Sequence, residues 1–326
     1  MKKNMLKIAR ITDSVLSRFF SPSLPHKNSL LIFTFHGIFL NQKERSLNLV
    51  DPRLFISIED FCQLLEYSLD KNYTFVSPND ILKGLNNDKN CILITFDDGY
   101  FNNKHVLSIL RKYEIPAYFF ISTNHVKYNK SFWWDVLYRE GIRHNMSIKQ
   151  ITKIKKQIKL ETSEKCEKYL MDFYGKEAFK PISDIDRPFT PSELKEFSKE
   201  KLVFLGNHTS NHNILSRYSL KECNSLILSS QRDIYDFTGI TPIAISYPDG
   251  IYSKEIIEEI KDIGLKLGFT GEFKKYYLPI DCRDNNYMKL GRFNLYGCDN
   301  SKDCKEFFNI FISEGIFTNW IFRIFF

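Results

Sequence analysis

The sequence predicts an α/β fold, and two observations support this. Short apolar runs of strand length recur along the chain, and segments with helical spacing lie between them, as at 58–69 and 102–113. This alternation is typical of βαβ units around a parallel sheet, and about eight candidate strands favour a closed barrel. The candidate strands are Leu30–Phe35, Tyr73–Val76, Cys91–Phe96, Ala117–Ile121, Leu202–Leu205, Ile243–Tyr247, Leu267–Thr270 and Lys289–Leu295.

Length and composition fit one globular domain of barrel size. The chain has 326 residues, of which 43% are hydrophobic and 26% charged, and both values are ordinary. The formal net charge is +7. Basic residues concentrate mildly at 149–159, which we interpret as a solvated helix face rather than an anionic-surface site. The chain carries no nucleic-acid-binding motif, so no nucleic acid partner is expected.

One stretch interrupts the alternation of strands and helices. No strand pattern occurs from about 127 to 186, and the lysine-rich stretch 147–173 has helical spacing. We therefore expect a helical insertion at about 127–186 over one face of the barrel. Trp133 and Trp134 begin it. Paired tryptophans can stack on a sugar ring, but packing in a core is their more frequent role.

The two ends of the chain lie outside the expected barrel, which spans 30–300. Residues 1–29 are basic and amphipathic without the apolar core of a signal peptide, and they predict an amphipathic helix. Residues 301–326 become apolar from Gly315 onward. We expect this tail to pack on the barrel or to lie at a membrane interface. No charge-free window of about 20 residues exists, so no transmembrane helix is expected.

Cysteine usage favours a reducing compartment. The seven cysteines are odd in number and contain no C-x-x-C pair. We expect a cytoplasmic protein, either free or held at the inner face of the membrane by its C-terminal tail. The sequence gives no indication of an oligomeric state.

Two pairs of polar residues directly follow candidate strands. Asp97 and Asp98 follow 91–96, and a divalent cation is the simplest compensation for two adjacent buried acids. An Asp-Gly pair is also a common turn, so this pair alone leaves both interpretations open. His208 and His212 follow the strand at 202–205, and two histidines four residues apart can bind one ion.

Two weaker clusters occupy the same kind of position. His36 ends the first strand, and Tyr247, Pro248, Asp249 and Gly250 form a tight turn after 243–247. Such a turn can aim a backbone N–H at an oxyanion, although Pro-x-Gly is also a common turn. Because the carboxyl ends of barrel strands converge on one rim, the four clusters together predict one site.

In this order and spacing, the motifs resemble the polysaccharide deacetylase family, with the NodB-type fold of carbohydrate esterase family 4. They are TFDDG at 95–99, H-T-x-x-H at 208–212 and Y-P-x-G at 247–250, and the resemblance covers about 30–296. FWWD at 132–135 and NHNILSRYS at 211–219 also resemble bacterial members. The resemblance implies a distorted (β/α)7-8 barrel.

The resemblance also implies roles that spacing cannot assign. Asp97 matches the family's general base. Asp98, His208 and His212 match the ligands of one divalent metal, usually Zn²⁺, with Co²⁺ or Ni²⁺ as alternatives. The metal would activate a water and polarise the acetyl carbonyl. The backbone N–H of Asp249 would bind the oxyanion.

Two positions depart from the family's pattern. Many members tether the base with an arginine shortly before Pro-x-Gly, but this chain has AISY at 244–247. Arg292 on the last strand is the candidate replacement, and a surface salt bridge is its alternative role. Many members take the general acid from a late Leu-x-His motif, but no histidine follows His212. His36 resembles the early histidine of the poly-N-acetylglucosamine branch, where that residue is placed as the acid.

The resemblance implies a hydrolase that removes N-acetyl groups from N-acetylhexosamine units of a bacterial polysaccharide or its precursor. An acetylated glycan is therefore the expected substrate. An O-acetyl esterase, an inactive sugar-binding relative and an iron oxygenase with two histidines and one carboxylate are the alternatives. The intact ligand set argues against the inactive relative. Asp97, as a second adjacent carboxylate, argues against the oxygenase.

Overall fold

The computed structural model describes residues 28–85, 88–280 and 287–295. In these residues the main sheet is a curled array of parallel strands in the order β1-β5-β6-β7-β8-β9. The strands are β1 Ser29–Phe35, β2 Gly37–Phe39, β3 Phe55–Ser57, β4 Thr74–Phe75, β5 Cys91–Phe96, β6 Ala117–Ile121, β7 Val203–Asn207, β8 Ala244–Ser246, β9 Leu267–Phe269, β10 Tyr276–Tyr277 and β11 Phe293–Asn294.

The segment 290–295 hydrogen-bonds to both edges of this array. Leu290 N donates to Gly268 O at 2.7 Å on the β9 side. On the other side β11 pairs in parallel with β1, and Leu295 N donates to Thr34 O at 3.0 Å. The strands therefore form a distorted (β/α) barrel, and the predicted α/β fold class is confirmed.

The remaining strands are peripheral. β4 pairs with the start of β5, β10 runs antiparallel to the start of β1, and β2 pairs with β3 in a separate sheet. The predicted strand Lys289–Leu295 is shorter than expected, because only Phe293–Asn294 forms a ladder. The segment bridges β9 at Leu290 and pairs with β1 at Phe293–Asn294; at Gly291, between these points, a Cβ would lie 2.3 Å from Glu272 O, so only glycine fits.

Helices cover the outside of the barrel, which buries the strands on both faces and explains their continuous apolar runs. The predicted helix at 102–113 begins only at Leu107, after a 3₁₀ turn at Phe101–Val106. The α-helices are Gln42–Ser46, Ile58–Asp70, Pro78–Lys83, Leu107–Tyr113, Thr123–Tyr128, Trp133–Arg143, Ile148–Ile158, Ser163–Tyr174, Pro191–Phe197, Leu220–Thr238 and Lys254–Ile260.

The stretch that lacked a strand pattern is helical in the structure. Three helices, Trp133–Arg143, Ile148–Ile158 and Ser163–Tyr174, pack around an apolar core that also includes Phe39, Phe55 and Tyr100 from outside the stretch. Trp133 and Trp134 belong to this core, each no more than 5% exposed. We call the segment 133–174 the insertion.

The expected N-terminal helix at 1–29 lies outside the described residues except for 28–29, where β1 begins. The apolar tail at 301–326 lies entirely outside them. No helix within the described ranges is long and apolar enough to cross a membrane. Four of the seven cysteines are described, and all four are free: Cys62, Cys91, Cys166 and Cys223.

Candidate active site

The alternation of side chains along the strands brings the polar residues together. Alternate residues of a barrel strand face the interior. On β5 the interior positions are Cys91, Leu93 and Thr95, and the next one is Asp97. The same alternation leads along β1 to His36, along β7 to His208 and along β8 to Ser246. On each of these four strands, the last residue that faces the interior is polar, and the four residues lie at one rim.

Asp98, His208 and His212 form a compact group of potential metal ligands. Asp98 Oδ1 lies 3.4 Å from His208 Nε2 and 3.8 Å from His212 Nε2, and the three ligand atoms lie within 4.8 Å of one another. Asp98 Oδ1 and His208 Nε2 are buried without a hydrogen-bond partner in the described structure. Unpaired buried polar atoms are costly, and a cation between them would satisfy both. One carboxylate and two imidazoles suit zinc with an open position.

The ring of His208 is oriented for this purpose. Its Nδ1 lies 2.8 Å from the carbonyl oxygen of Ser246, which can only accept a hydrogen bond. The proton is therefore on Nδ1, and the lone pair of Nε2 points toward Asp98. Burial lowers the pKa of His208, but Asp97 and Asp98 raise it to a net value above 6.5. The pocket thus favours an added positive charge.

The loops that carry these ligands are strained. Asp98, Thr209 and His212 have φ values of 75°, 62° and 50°, in the left-handed region that favours glycine. Each such residue costs about 1–3 kcal/mol and persists only where its surroundings fix it. Asn207 Oδ1 accepts from Thr209 N at 2.8 Å, and Thr209 Oγ1 accepts from Asn213 N at 2.6 Å. These side chains stabilise the turn between the two histidines.

Asp97 has different surroundings from its neighbour. Arg292 donates from Nη1 to Oδ1 at 2.8 Å and from Nη2 to Oδ2 at 2.7 Å, and Ser246 Oγ lies 3.1 Å from Oδ2. Burial raises the pKa of Asp97, but Arg292 and His208 lower it by a larger amount. The net pKa of Asp97 is therefore below the ordinary range of an aspartate. Asp97 is therefore a fixed, ionised carboxylate beside the ligand group.

Arg292 is only 3% exposed, so its alternative role in a surface salt bridge is wrong. Its guanidinium also donates to Thr95 Oγ1 at 3.2 Å and to Ser246 Oγ at 2.8 Å. Leu290, two residues earlier, packs in the barrel interior, and alternation along the segment turns Arg292 to the same side.

His36 lies on the same rim and is partly exposed. Its carbonyl oxygen accepts from Asn103 Nδ2 at 2.6 Å, which holds the end of β1 in place. Burial lowers the pKa of His36, whereas Asp98 and Asp97 raise it, and the net value is below 6.5. The neutral imidazole is therefore the main form at pH 7.

The turn at 247–250 supports the rim mainly through its backbone. The hydroxyl of Tyr247 donates to Met288 O at 3.0 Å and its N–H to Phe269 O at 2.9 Å, so both donors are engaged within the protein. Pro248 is buried. Gly250 has a φ of 70°, and a Cβ there would lie 2.0 Å from Gly271 N. Asp249 has a φ of 59°, and its carboxylate contacts Lys159 Nζ of the insertion at 2.7 Å.

Comparisons with known proteins concern the family and the fold of this chain. A family model described as polysaccharide deacetylase matches residues 84–268, more than half of the chain. The chain belongs to the polysaccharide deacetylase family. No curated protein gives a match.

Solved structures of the polysaccharide deacetylase fold resemble this chain at low sequence identity. A polysaccharide deacetylase from Bacillus cereus has 16% identity and a TM-score of 0.58, covering 88% of this chain and 70% of its own. The deacetylase PplD from Streptococcus pyogenes, in complex with acetate, has 18% identity and a TM-score of 0.57, covering 86% and 98%. IcaB from Ammonifex degensii has 15% identity and a TM-score of 0.55, covering 90% and 97%. These likenesses support the fold.

Three residues of this polysaccharide deacetylase site make contacts that the sequence did not predict. Ser246 touches Asp97, Arg292 and His208, Thr95 contacts Arg292, and Trp134 lies against the ring of His212. Alternate residues of β8 face the interior. This alternation would have indicated Ser246, because the strand at 243–247 was correctly recognised. Nothing in the sequence indicated that the insertion reaches the ligands.

Proposed function

We propose that this protein is a metal-dependent hydrolase that removes N-acetyl groups from N-acetylhexosamine units of a bacterial polysaccharide or its precursor. Membership of the polysaccharide deacetylase family supports the reaction class. The observation that carries the proposal is the division of the site into two parts. Asp98, His208 and His212 form a metal-ligand set with unpaired atoms, and Asp97 beside them is held by Arg292.

Each residue has a task in amide hydrolysis. A divalent ion, when bound, supplies Lewis-acid activation of the water and of the acetyl carbonyl. Asp97 accepts the proton of the attacking water, and Arg292 keeps its carboxylate ionised and oriented. The backbone N–H of Asp249 donates to the developing oxyanion. His36 delivers a proton to the departing amine.

Acetylated glycans are the substrate class that fits this assignment. The similar Streptococcus pyogenes deacetylase was solved with acetate, which is the product expected here. An O-acetyl esterase would use the same residues, and the substrate must decide between the two reactions. The completeness of the site, with both acids and both histidines present, argues against an inactive sugar-binding protein.

The proposal is tested by acetate release from N-acetylglucosamine oligomers and from O-acetylated glycans, with Zn²⁺, Co²⁺ or Ni²⁺ added to metal-free protein. We expect release from the N-acetylated oligomers, dependent on metal. His208→Ala should lose tightly bound metal and activity together, whereas His144→Ala, at an exposed position of the insertion, should keep both. Faster release from O-acetylated glycans would favour the esterase. A His208→Ala variant with full metal at this site would contradict the ligand assignment.

A further inference from the structure

His212 lies where the insertion meets the barrel rim. Its ring packs edge-on against Trp134, with 4.7 Å between ring centroids and an interplanar angle of 63°. Trp134 is the second residue of the first insertion helix. The insertion therefore touches a metal-ligand side chain directly, at a position where the sequence favoured core packing over stacking on a sugar ring.

The backbone of His212 is held by the insertion as well. Ser163, the first residue of the helix Ser163–Tyr174, donates from Oγ to the carbonyl oxygen of His212 at 3.1 Å. The next residue, Glu164, accepts from Asn213 Nδ2 at 3.0 Å. Two insertion helices thus contact the same short loop, one through a ring and the other through hydrogen bonds.

Trp134 is itself fixed in one orientation. Its Nε1 donates to the hydroxyl of Tyr100 at 3.0 Å, and its ring stacks on Phe132 at 5.1 Å. The Tyr100 hydroxyl also lies 2.5 Å from Oδ2 of the buried Asp135. Since Tyr100 follows Asp98 by two residues, these contacts connect the loop of the carboxylate ligand with the ring that packs on His212.

His212 needs such support because of its backbone. Its φ of 50° is unfavourable for a side chain with a Cβ, and strained residues persist only where several contacts fix them. The ring of His208 is oriented by the Ser246 carbonyl, whereas the ring of His212 packs against the ring of Trp134 in the insertion.

We propose that Trp134 is a positioning residue for the metal site: it holds the ring of His212 where Nε2 faces Asp98. The insertion, through Trp134 and Ser163, then sets the affinity of the ligand group for metal. This inference rests on the proposed function, because it assumes that the ligand group binds metal. The competing explanation is that Trp134 only stabilises the insertion.

Trp133 offers a matched control. It is 4% exposed, against 5% for Trp134, and belongs to the same apolar core. Its ring packs on that of Trp134 at 5.5 Å. In the described structure it makes no ring contact with His212. Trp133→Leu and Trp134→Leu should therefore destabilise the insertion similarly. Only Trp134→Leu removes the ring that packs on His212.

The experiment measures zinc affinity of the full chain by competition with a chromogenic chelator, with thermal unfolding and the Co²⁺ absorption spectrum recorded for each variant. Changes next to a metal ligand typically cost about 10–100-fold in affinity. We expect Trp134→Leu to lose zinc affinity by about that factor and to change the Co²⁺ spectrum. Trp134→Phe, which keeps a ring, should lie between Trp134→Leu and the wild type. Trp133→Leu should keep the wild-type affinity and spectrum despite a lower Tm.

Equal zinc affinities for Trp134→Leu and the wild type, or equal losses in Trp134→Leu and Trp133→Leu, would overturn the inference alone. A wild-type protein that binds no zinc, cobalt or nickel at this site would overturn the proposed function and the inference together. Should Trp134→Leu fail to fold, Trp134→Phe and Ser163→Ala carry the test. Both should weaken zinc binding measurably, and unchanged affinity in both would reject the role of the insertion.

Discussion

Asp97 and Asp98 are adjacent, identical side chains whose surroundings divide their chemistry. Asp97 accepts hydrogen bonds from Arg292 and Ser246, which orient it and keep it ionised. Asp98 keeps one oxygen unpaired and turned toward two imidazoles, on a backbone with a φ of 75°. A carboxylate already occupied by a guanidinium is a poor metal ligand, and an unpaired one beside two histidines is a good one.

This division predicts different outcomes for two conservative substitutions. Asp97→Asn should retain zinc and lower turnover by about 10²–10⁴, the usual range for a lost general base. Asp98→Asn should lose zinc, since a neutral amide is a weaker ligand than a carboxylate. Metal content and acetate release are measured on the same preparations. If Asp97→Asn loses the metal and Asp98→Asn keeps it, the two roles are reversed.

His36 is tested by the identity of the leaving group. An amine needs a proton to depart, whereas the phenolate of an activated aryl acetate does not, so His36→Ala should impair amide hydrolysis far more than ester hydrolysis. The acid form of a histidine is lost as pH rises through its pKa, which lies below 6.5 here. The wild-type amide rate should therefore fall on the alkaline side from below neutral pH.

Rates for both substrates across pH decide between an acid and a packing residue. If His36 only supports the rim, His36→Ala should slow both substrates equally and leave the alkaline decline intact. Either result would remove His36 from the catalytic residues.

The strands, rather than the turns, made the site predictable from sequence. β5 and β6 match the predicted ranges. Because alternate residues of a strand face the interior, correctly placed strands lead to His36, Asp97 and His208. The last strand was less predictable, because its pairing with β1 and the close approach of Gly291 to Glu272 are long-range contacts that no local pattern records. The contact of Trp134 with His212 joins distant segments in the same way, so the sequence indicated a buried tryptophan but not its neighbour.

A buried hydroxyl on β6 tests the packing of the barrel interior. Tyr118 is 1% exposed, and its hydroxyl has no partner in the described structure. Leaving such a group unpaired costs about 1–3 kcal/mol, so Tyr118→Phe should be as stable as the wild type or more stable by about 1 kcal/mol. Tyr100→Phe is the control, because the Tyr100 hydroxyl bonds Asp135 and Trp134 and its loss should destabilise the protein. Urea unfolding measures both, and a clear destabilisation by Tyr118→Phe would contradict the packing.

At the scale of the molecule, the barrel and the insertion are in contact at the rim of the site. The recurring strands indicated the barrel, and the order of the motifs at the carboxyl ends of the strands indicated the family. The insertion reaches that rim through Trp134 and Ser163 at His212 and through Lys159 at Asp249. The expected helix at 1–29 and tail at 301–326 remain predictions, because they fall outside the described residues.

A buried histidine at the junction of barrel and insertion makes the stability of the molecule depend on pH. His125 is fully buried, stacks on Phe132 at 4.3 Å and places Nδ1 3.0 Å from the carbonyl oxygen of Lys130. Burial, followed by the nearby Lys130 charge, holds the pKa of His125 well below 6.5. Below about pH 6.5 the unfolded chain therefore binds a proton at this residue that the folded protein does not bind.

The free energy of unfolding should consequently fall as pH is lowered below about 6.5, and His125 should contribute a slope of up to about 1.4 kcal/mol per pH unit. Urea unfolding of the wild type and of His125→Leu between pH 5 and 8, with zinc present throughout, isolates this contribution. The variant will be less stable at pH 8, because it loses the hydrogen bond to Lys130, but its stability should decline less steeply toward pH 5. The difference between the two curves is the informative quantity, since other histidines titrate in both proteins. Parallel curves would show that His125 is protonated equally in the folded and unfolded states and would contradict this prediction.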